Sequence, residues 1–182
     1  MATAGLFLCV ATACSSSSDA ADVEPSAKTS AKTSASPSVS AEDQEKKAVI
    51  TAYLGYVETD AEAQRSGKVD QPRVQKYARD KAATEVTTMV YFNEKNGVLM
   101  KGKPRSDKLQ VTALGMKADP RTATLSVCDD ASDFLPVFKK NGKSALPKGS
   151  DEPARRPRSV KAVEVDGTWL ISEFMTDRSR TC

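Results

Sequence analysis

The chain has 182 residues, with 27 Lys and Arg, 24 Asp and Glu, no histidine, and a formal net charge of +3. The absence of histidine excludes a Ser-His or Cys-His nucleophile pair and also a histidine metal site. A chain of this length is expected to form one hydrophobic core once targeting and linker segments are set aside.

The N-terminus is a short apolar segment that ends at a cysteine. Residues 2–13 carry no charge, and this stretch is shorter than the roughly 18 apolar residues of a membrane-spanning helix. Ala11-Thr12-Ala13-Cys14 resembles the lipobox of bacterial lipoproteins, although that family prefers Leu at the first position. The resemblance implies that residues 1–13 are a signal peptide and that Cys14 is the lipid attachment site. Because no Lys or Arg precedes Lys28, we expect the basic start of the signal to lie upstream of Met1.

A linker is predicted after the lipidated cysteine. Residues 14–43 are rich in Ser, Thr, Ala, Lys and Pro, and apart from Ala only Val23 and Val39 are apolar. Such a segment cannot bury enough apolar surface to offset the entropy of ordering it. We therefore expect a disordered spacer over residues 14–43, with sugar attachment to its hydroxyls as the alternative.

The four cysteines indicate one disulfide bond. Cys9 lies within the predicted signal peptide and Cys14 would carry lipid, which leaves Cys128 and Cys182 in the folded part. In an exported protein, two remaining cysteines are more often bonded than free. The sequence therefore predicts a Cys128–Cys182 disulfide that ties the end of the chain to the domain.

Residues 44–182 are predicted to form a single α+β domain that begins with two helices. Helical spacing over about 43–66 is shown by Val49, Ala52, Tyr53, Tyr56 and Val57. Gly67 ends this helix, and Pro72 suits the first turn of the next one. The second helix should stop near Asn96-Gly97. Its apolar face comprises Val74, Tyr77, Ala78, Val86, Met89 and Val90.

After Gly97, apolar residues recur at every second position, as in a β-strand. Half-buried strands are predicted around Leu109, Val111 and Ala113 and around Ala123, Leu125 and Val127, with a turn at Asp119-Pro120. Pro136 places the segment 134–138 at a sheet edge. Strands 160–165 and 168–175 form a hairpin across Asp166-Gly167, whose residues favour the tight turn that matches strand twist.

Two helices followed by antiparallel strands resemble the nuclear transport factor 2-like superfamily, which includes SnoaL-like and ketosteroid isomerase domains. The specific residues are the closing hairpin Val163-Glu164-Val165-Asp166-Gly167-Thr168-Trp169-Leu170-Ile171 and the strand end Val127-Cys128-Asp129-Asp130. The resemblance implies a curved antiparallel sheet wrapped over the helices, a cone whose mouth can bind a small molecule. Fold alone does not determine function.

No catalytic residue, metal site or cofactor is predicted. Isomerases of this fold use a carboxylate base with a tyrosine or protonated acid, and Tyr53, Tyr56 and Asp60 have a compatible helical spacing. Buried tyrosines are more commonly packing residues, so Tyr53, Tyr56 and Trp169 are predicted only to line a pocket. The carboxylates of Asp129, Asp130 and Asp133 lack the spacing of a calcium loop and are interpreted as turn and strand-end residues.

Two basic clusters, residues 139–143 and 155–158, are predicted to be solvent-facing loops. Contact with anionic lipid or an acidic envelope polymer is the alternative. Nucleic acid is not expected as a partner, because no aromatic residues are interleaved with these charges.

These features predict a lipid-anchored protein on the extracytoplasmic face of a bacterial cell membrane. Its expected role is a non-enzymatic binding or protein-interaction module of the cell envelope, with an envelope protein or a small hydrophobic ligand as partner. The alternative is a SnoaL-like or ketosteroid-isomerase-like enzyme that acts on a small hydrophobic molecule.

The lipid anchor has a direct test. We expect metabolic labelling with a fatty acid to mark the native chain, and Cys14→Ser to abolish the label and release the protein from the membrane fraction, because the thiol is the attachment point. Cys9→Ser is the matched control and should keep the label. A Cys14→Ser protein that stays bound to the membrane would contradict the prediction.

Overall fold

The structure, a computed structural model, describes residues 40–149 and 155–182. The predicted signal peptide, Cys14 and most of the predicted linker lie outside the described residues. Three helices come first and are followed by six strands. In chain order the elements are α1 (Ala41–Ser66), α2 (Gln71–Tyr77), α3 (Asp80–Lys95), β1 (Val98–Gly102), β2 (Arg105–Gly115), β3 (Thr122–Asp130), β4 (Phe134–Phe138), β5 (Arg156–Val165) and β6 (Thr168–Thr176).

The first helix begins and ends where its capping residues lie. The Ser40 hydroxyl accepts a hydrogen bond from the Asp43 amide at 3.0 Å, which satisfies one of the unpaired amides of the first turn. Gly67 has a φ of 68° and donates its N–H to the Ala63 carbonyl, as in a left-handed C-cap. The helix therefore includes residues 41–43, which the sequence analysis assigned to the linker.

The predicted second helix is in fact two helices. Ala78 and Arg79 are extended, and they separate α2 from α3 without a Gly or Pro at the break. Ala78 forms an isolated parallel bridge with Ile171, whose carbonyl accepts the Arg79 amide at 2.9 Å. The prediction of one continuous helix is wrong because pairing with β6 overrides the local helical pattern.

The strands form two antiparallel sheets. A four-stranded sheet has the order β2-β3-β5-β6, and β1 pairs with β4 in a separate two-stranded sheet. Phe134–Phe138 is an edge strand as predicted, with Pro136 opposite Met100. Strand β1 was not predicted from the sequence. The α+β class with antiparallel strands after the helices is confirmed.

The closing hairpin is the local feature that agrees best with the sequence. Strands β5 and β6 pair from Val165–Thr168 up to Arg158–Thr176, and Asp166 and Gly167 form the connection. Their φ angles are 50° and 77°, the positive values that a tight turn of this handedness needs at both central residues.

The core lies between the helices and one face of the larger sheet. Ala123, Leu125 and Val127 are all buried there, as their alternation predicts. On β2 the alternation fails, because Ala113 is exposed while Leu109 and Val111 pack against the core. Register shifts on either side of Val111 explain the difference, since one extra residue turns the following side chain to the opposite face.

The predicted disulfide is present. Cys128 lies in β3, and Cys182 reaches it with a Cα–Cα distance of 6.0 Å. The tail after β6 is held beside the start of β5, where the Cys182 amide donates to the Arg155 carbonyl. The bond thus fastens the last six residues to the centre of the sheet.

Reduction of this disulfide should lower thermal stability. A sequence separation of 54 residues corresponds to about 4 kcal/mol on the chain-entropy model, or a fall in Tm of about 10 °C for a domain of this size. Thermal unfolding followed by circular dichroism with and without a phosphine reductant measures the shift.

The double variant Cys128→Ala with Cys182→Ala is the control, because its Tm should equal that of the reduced protein and should not respond to reductant. An oxidised wild-type protein whose Tm is unaffected by the reductant would contradict the prediction.

Candidate functional site

A cavity of about 280 Å³ lies between α1, the two-stranded sheet and the ends of β3 and β5. We call it the Asp60 cavity. Most of its wall is apolar, and four ionisable side chains other than tyrosine reach it. Its lining residues are Tyr56, Val57, Asp60, Gln64, Met100, Pro104, Asp129, Asp130, Ala131, Phe134, Pro136 and Arg158.

Helix α1 positions the polar group that gives the cavity its name. Tyr56, Asp60 and Gln64 are spaced by four residues, which places them along one face of the helix. The Gln64 Nε2 donates to Asp60 Oδ2 at 2.9 Å, and the Gln64 Oε1 accepts from Asn93 Nδ2 on α3 at 3.4 Å. The buried Asn93–Gln64 pair therefore holds the Asp60 carboxylate in place.

The other oxygen of this carboxylate has no partner. Asp60 Oδ1 is shielded from solvent and accepts no hydrogen bond from residues 40–149 or 155–182, although a carboxylate can accept several. An unsatisfied buried acceptor costs about 1–3 kcal/mol. Burial raises the pKa of Asp60 to about 6, and the nearby Glu85 raises it further while Gln64 and Arg158 oppose the shift.

Asp129 and Arg158 form a second polar pair in the cavity wall. Arg158 Nε lies 2.7 Å from Asp129 Oδ2, with only about a fifth of either side chain exposed. Asp129 Oδ1 accepts from the Tyr53 hydroxyl at 2.7 Å and from Ser106 Oγ at 3.1 Å. The Arg158 guanidinium also lies 4.3 Å from the centre of the Phe174 ring. Both charges are therefore compensated within the fold.

Asp130 is compensated as well. Its carboxylate accepts hydrogen bonds from the Ser132 side chain and from the Ser132 amide, the latter at 3.0 Å, and pairs with Arg105 at 3.1 Å, and these bonds lower its pKa to about 2. Arg105 also pairs with Asp133 at 2.8 Å. Within residues 40–149 and 155–182, no three His, Cys, Asp or Glu side chains are grouped so that they could hold a metal ion.

The structure does not bring Tyr53, Tyr56 and Trp169 together in one pocket. Tyr56 lines the Asp60 cavity, whereas Tyr53 is fully buried beside it, with ring centres 6.5 Å apart. Trp169 lines a different cavity of about 310 Å³ between α1, α2 and the hairpin turn, and its Nε1 donates to Glu45 on α1 at 2.7 Å. Trp169 and Tyr56 therefore pack at separate positions along α1 and line different cavities.

The two basic clusters differ from each other. Lys139, Lys140 and Lys143 lie in an exposed turn after β4, as predicted. The second cluster, apart from Arg155, belongs to β5, and Arg158 points into the interior. Its assignment to a solvent-facing loop is wrong, because a carboxylate, a hydroxyl and an aromatic ring inside the fold bind the guanidinium.

Several residues that line or support the Asp60 cavity were not identified from the sequence. Gln64 and Asn93 lie on the apolar faces of their helices and are buried, which is a recognisable pattern for a polar residue that contacts another in the core. Arg158 lay within a basic run and carried no such pattern. Asp60 was identified only by its spacing from the two tyrosines.

Comparisons with known proteins assign no family. No protein-family model matches the chain, and no curated protein matches it. Among solved structures, the intermembrane space region of the chloroplast protein ARC6 matches 77% of this chain and 98% of its own, with a TM-score of 0.43 and 14% sequence identity. Similarity at this level identifies neither a fold family nor a function. In the part of the chain that the structure describes, no helix is long and apolar enough to cross a membrane.

The charge of Asp60 should reduce stability at neutral pH. Its pKa of about 6 lies above that of the unfolded chain, so the folded state binds more protons between pH 4 and 6, and stability falls as pH rises through this range. Asp60→Asn should therefore be about 1–2 kcal/mol more stable than the wild type at pH 7.5 and show no such gain at pH 4.

Urea unfolding at both pH values measures the effect. Glu62→Gln, which neutralises an exposed carboxylate on the same helix, should show no comparable gain at pH 7.5. An Asp60→Asn protein that is less stable than the wild type at pH 7.5 would show that the ionised carboxylate stabilises the fold.

Proposed function

We propose that this protein is an extracytoplasmic lipoprotein, anchored through Cys14, that binds a small hydrophobic molecule in the Asp60 cavity. The anchor is supported by the small residues before Cys14 and by the linker composition of residues 15–39. Export is supported by the Cys128–Cys182 disulfide, because such bonds persist in oxidising compartments. The order of helices and antiparallel strands is consistent with a nuclear transport factor 2-like cone, which we propose as the fold family.

The observation that carries the binding function is the cavity itself. Ligand sites in proteins are concave, mostly apolar and furnished with a few polar groups that orient the ligand. The apolar wall is formed by α1, the two-stranded sheet and the loop residues Pro104 and Ala131, and Asp60 supplies an oxygen that no other described residue binds. A side-chain-filled interior would instead have favoured a protein-interaction module.

Binding without catalysis agrees with how Tyr53 and Arg158 are engaged. An enolate-stabilising site needs a free donor near the base. The Tyr53 hydroxyl donates to Asp129, and Arg158 is bound by Asp129, Thr176 and Phe174. These groups hold the wall of the cavity together.

One observation favours the enzymatic alternative. Asp60 combines a pKa near 6 with a position one helical turn from Tyr56, and a carboxylate of raised pKa beside a phenol is the arrangement that isomerases of this fold use. Turnover of 3-cyclohexen-1-one to its conjugated isomer, lost in Asp60→Asn, would select this alternative over simple binding.

The binding function is tested by filling the cavity. We expect adamantan-1-ol to shift the amide NMR signals of residues around the Asp60 cavity in the wild-type protein. Ala131→Trp, which places an indole in this cavity, should abolish the shifts because the ligand and the new ring need the same space.

Ala48→Trp is the matched control. Ala48 lines the second cavity, the one that Trp169 lines, and an indole placed there should leave binding in the Asp60 cavity intact. Circular dichroism verifies that both variants are folded. Shifts that disappear in Ala48→Trp and persist in Ala131→Trp would move the site to the other cavity. The absence of shifts in the wild type would contradict the binding function for this probe.

A further inference from the structure

The unpaired oxygen of Asp60 indicates what kind of polar group a ligand should carry. An ionised carboxylate accepts hydrogen bonds and donates none. Oδ2 is bound by Gln64, whereas Oδ1 is buried and has no partner. A half-turn about the terminal torsion, which is broad and two-fold in Asp, exchanges the positions of the two oxygens. A ligand in the cavity therefore satisfies Asp60 only if it brings a donor.

The charges around the cavity favour a cationic donor over a neutral or anionic one. Three carboxylates line the wall against a single guanidinium. Arg158 is paired with Asp129, and Asp130 is paired with Arg105, so the carboxylate of Asp60 has no cation of its own. Glu85 on α3 adds negative potential at Asp60, and the larger contribution of Arg158, whose ion pair is with Asp129, opposes it. An anionic ligand would be repelled from the position where a cation is attracted.

The walls determine the rest of the ligand. Val57, Met100, Phe134 and the two prolines Pro104 and Pro136 surround the charged end with apolar surface. The volume of about 280 Å³ lies just below the range of roughly 300–1,000 Å³ that is typical of ligand sites, so the ligand must be small. A compact apolar body with one polar end fits these limits.

We propose that the Asp60 cavity binds small apolar molecules that carry a protonated amine, with the Asp60 carboxylate as the acceptor of the ammonium group. This inference rests on the proposed binding function and adds the chemical class of the ligand. Asp60 is the specificity-determining residue, and the surrounding apolar residues hold the body of the molecule.

The test uses three probes with the same apolar body: adamantan-1-amine, adamantan-1-ol and adamantane-1-carboxylate. Isothermal titration calorimetry at pH 7.5 should give an amine affinity about tenfold or more above that of the alcohol, as expected for a hydrogen bond to a charged group, with the carboxylate binding most weakly. Asp60→Asn should abolish the preference for the amine while retaining alcohol binding. Glu62→Gln should retain the preference.

A second measurement does not depend on any variant. Amine affinity of the wild type should fall as pH drops from 7.5 to 5, because protonation of Asp60 near pH 6 removes the charge that attracts the ammonium group, while alcohol affinity should change much less. Arg158 and Glu85 are the other charged groups that act on Asp60, and Arg158 keeps its charge over this range.

The outcomes separate this inference from the function on which it rests. If the probes bind with equal affinity, or if Asp60→Asn keeps the preference for the amine, the ligand class is wrong and the binding function stands. If the carboxylate binds best, the cavity selects anions and Arg158 becomes the anchor. If none of the probes binds, the proposed binding function itself fails for ligands of this size.

Discussion

The ion pair between Arg158 and Asp129 is the interaction on which the candidate site depends. It connects β5 to β3 at 2.7 Å, and Asp129 also binds Tyr53 of α1. On its other side Arg158 is held by Thr176 and Phe174 of β6. Removal of one partner from such a shielded pair leaves an uncompensated charge, so this pair constrains three strands and a helix at once. Because α1, β3 and β5 also line the Asp60 cavity, the ion pair constrains the cavity wall as well.

The same pair explains why Asp60, unlike Asp129, has no ion-pair partner among the described residues. Arg158 is close enough to lower the pKa of Asp60, yet it forms its ion pair with Asp129 and its Nε–H donates to Thr176. Gln64 is the neutral donor that reaches Asp60, and it is itself oriented by Asn93. The interior thus contains a balanced ion pair beside an unbalanced carboxylate. Departures from complete polar satisfaction are expected at functional sites and rarely elsewhere.

Local sequence patterns were sufficient to predict the elements whose conformation is determined by nearby residues. The hairpin across Asp166-Gly167 follows from two residues that tolerate positive φ, and the end of α1 follows from Gly67. Long-range pairing could not be read in the same way. The break at Ala78-Arg79 exists because Ile171, almost a hundred residues later, offers a backbone carbonyl, and the exposure of Ala113 follows from a shift in strand register.

The candidate site was partly predictable for the same reason. Helical spacing placed Tyr53, Tyr56 and Asp60 on neighbouring turns of one helix, so their proximity followed from α1 alone. Trp169 was assigned to the pocket because an indole can stack on a ligand, not because of its position in the sequence, and it lines another cavity. Arg158 shows the converse error, since a residue in a basic run was assumed to be solvated. Charge counted along the chain does not show which cation has a buried partner, and here that partner is Asp129, on the neighbouring strand.

A buried carboxylate without an ion-pair partner destabilises the fold, and a purely structural role would not require it. Asparagine at position 60 would preserve an acceptor for Gln64 and would remove the charge that burial disfavours. Stability alone would therefore favour the amide. A carboxylate is advantageous where a cation binds or a proton is transferred in the cavity, which the amine ligand and the enzymatic alternative respectively require. The chemistry of Asp60, more than the shape of the fold, is thus the property from which the function follows.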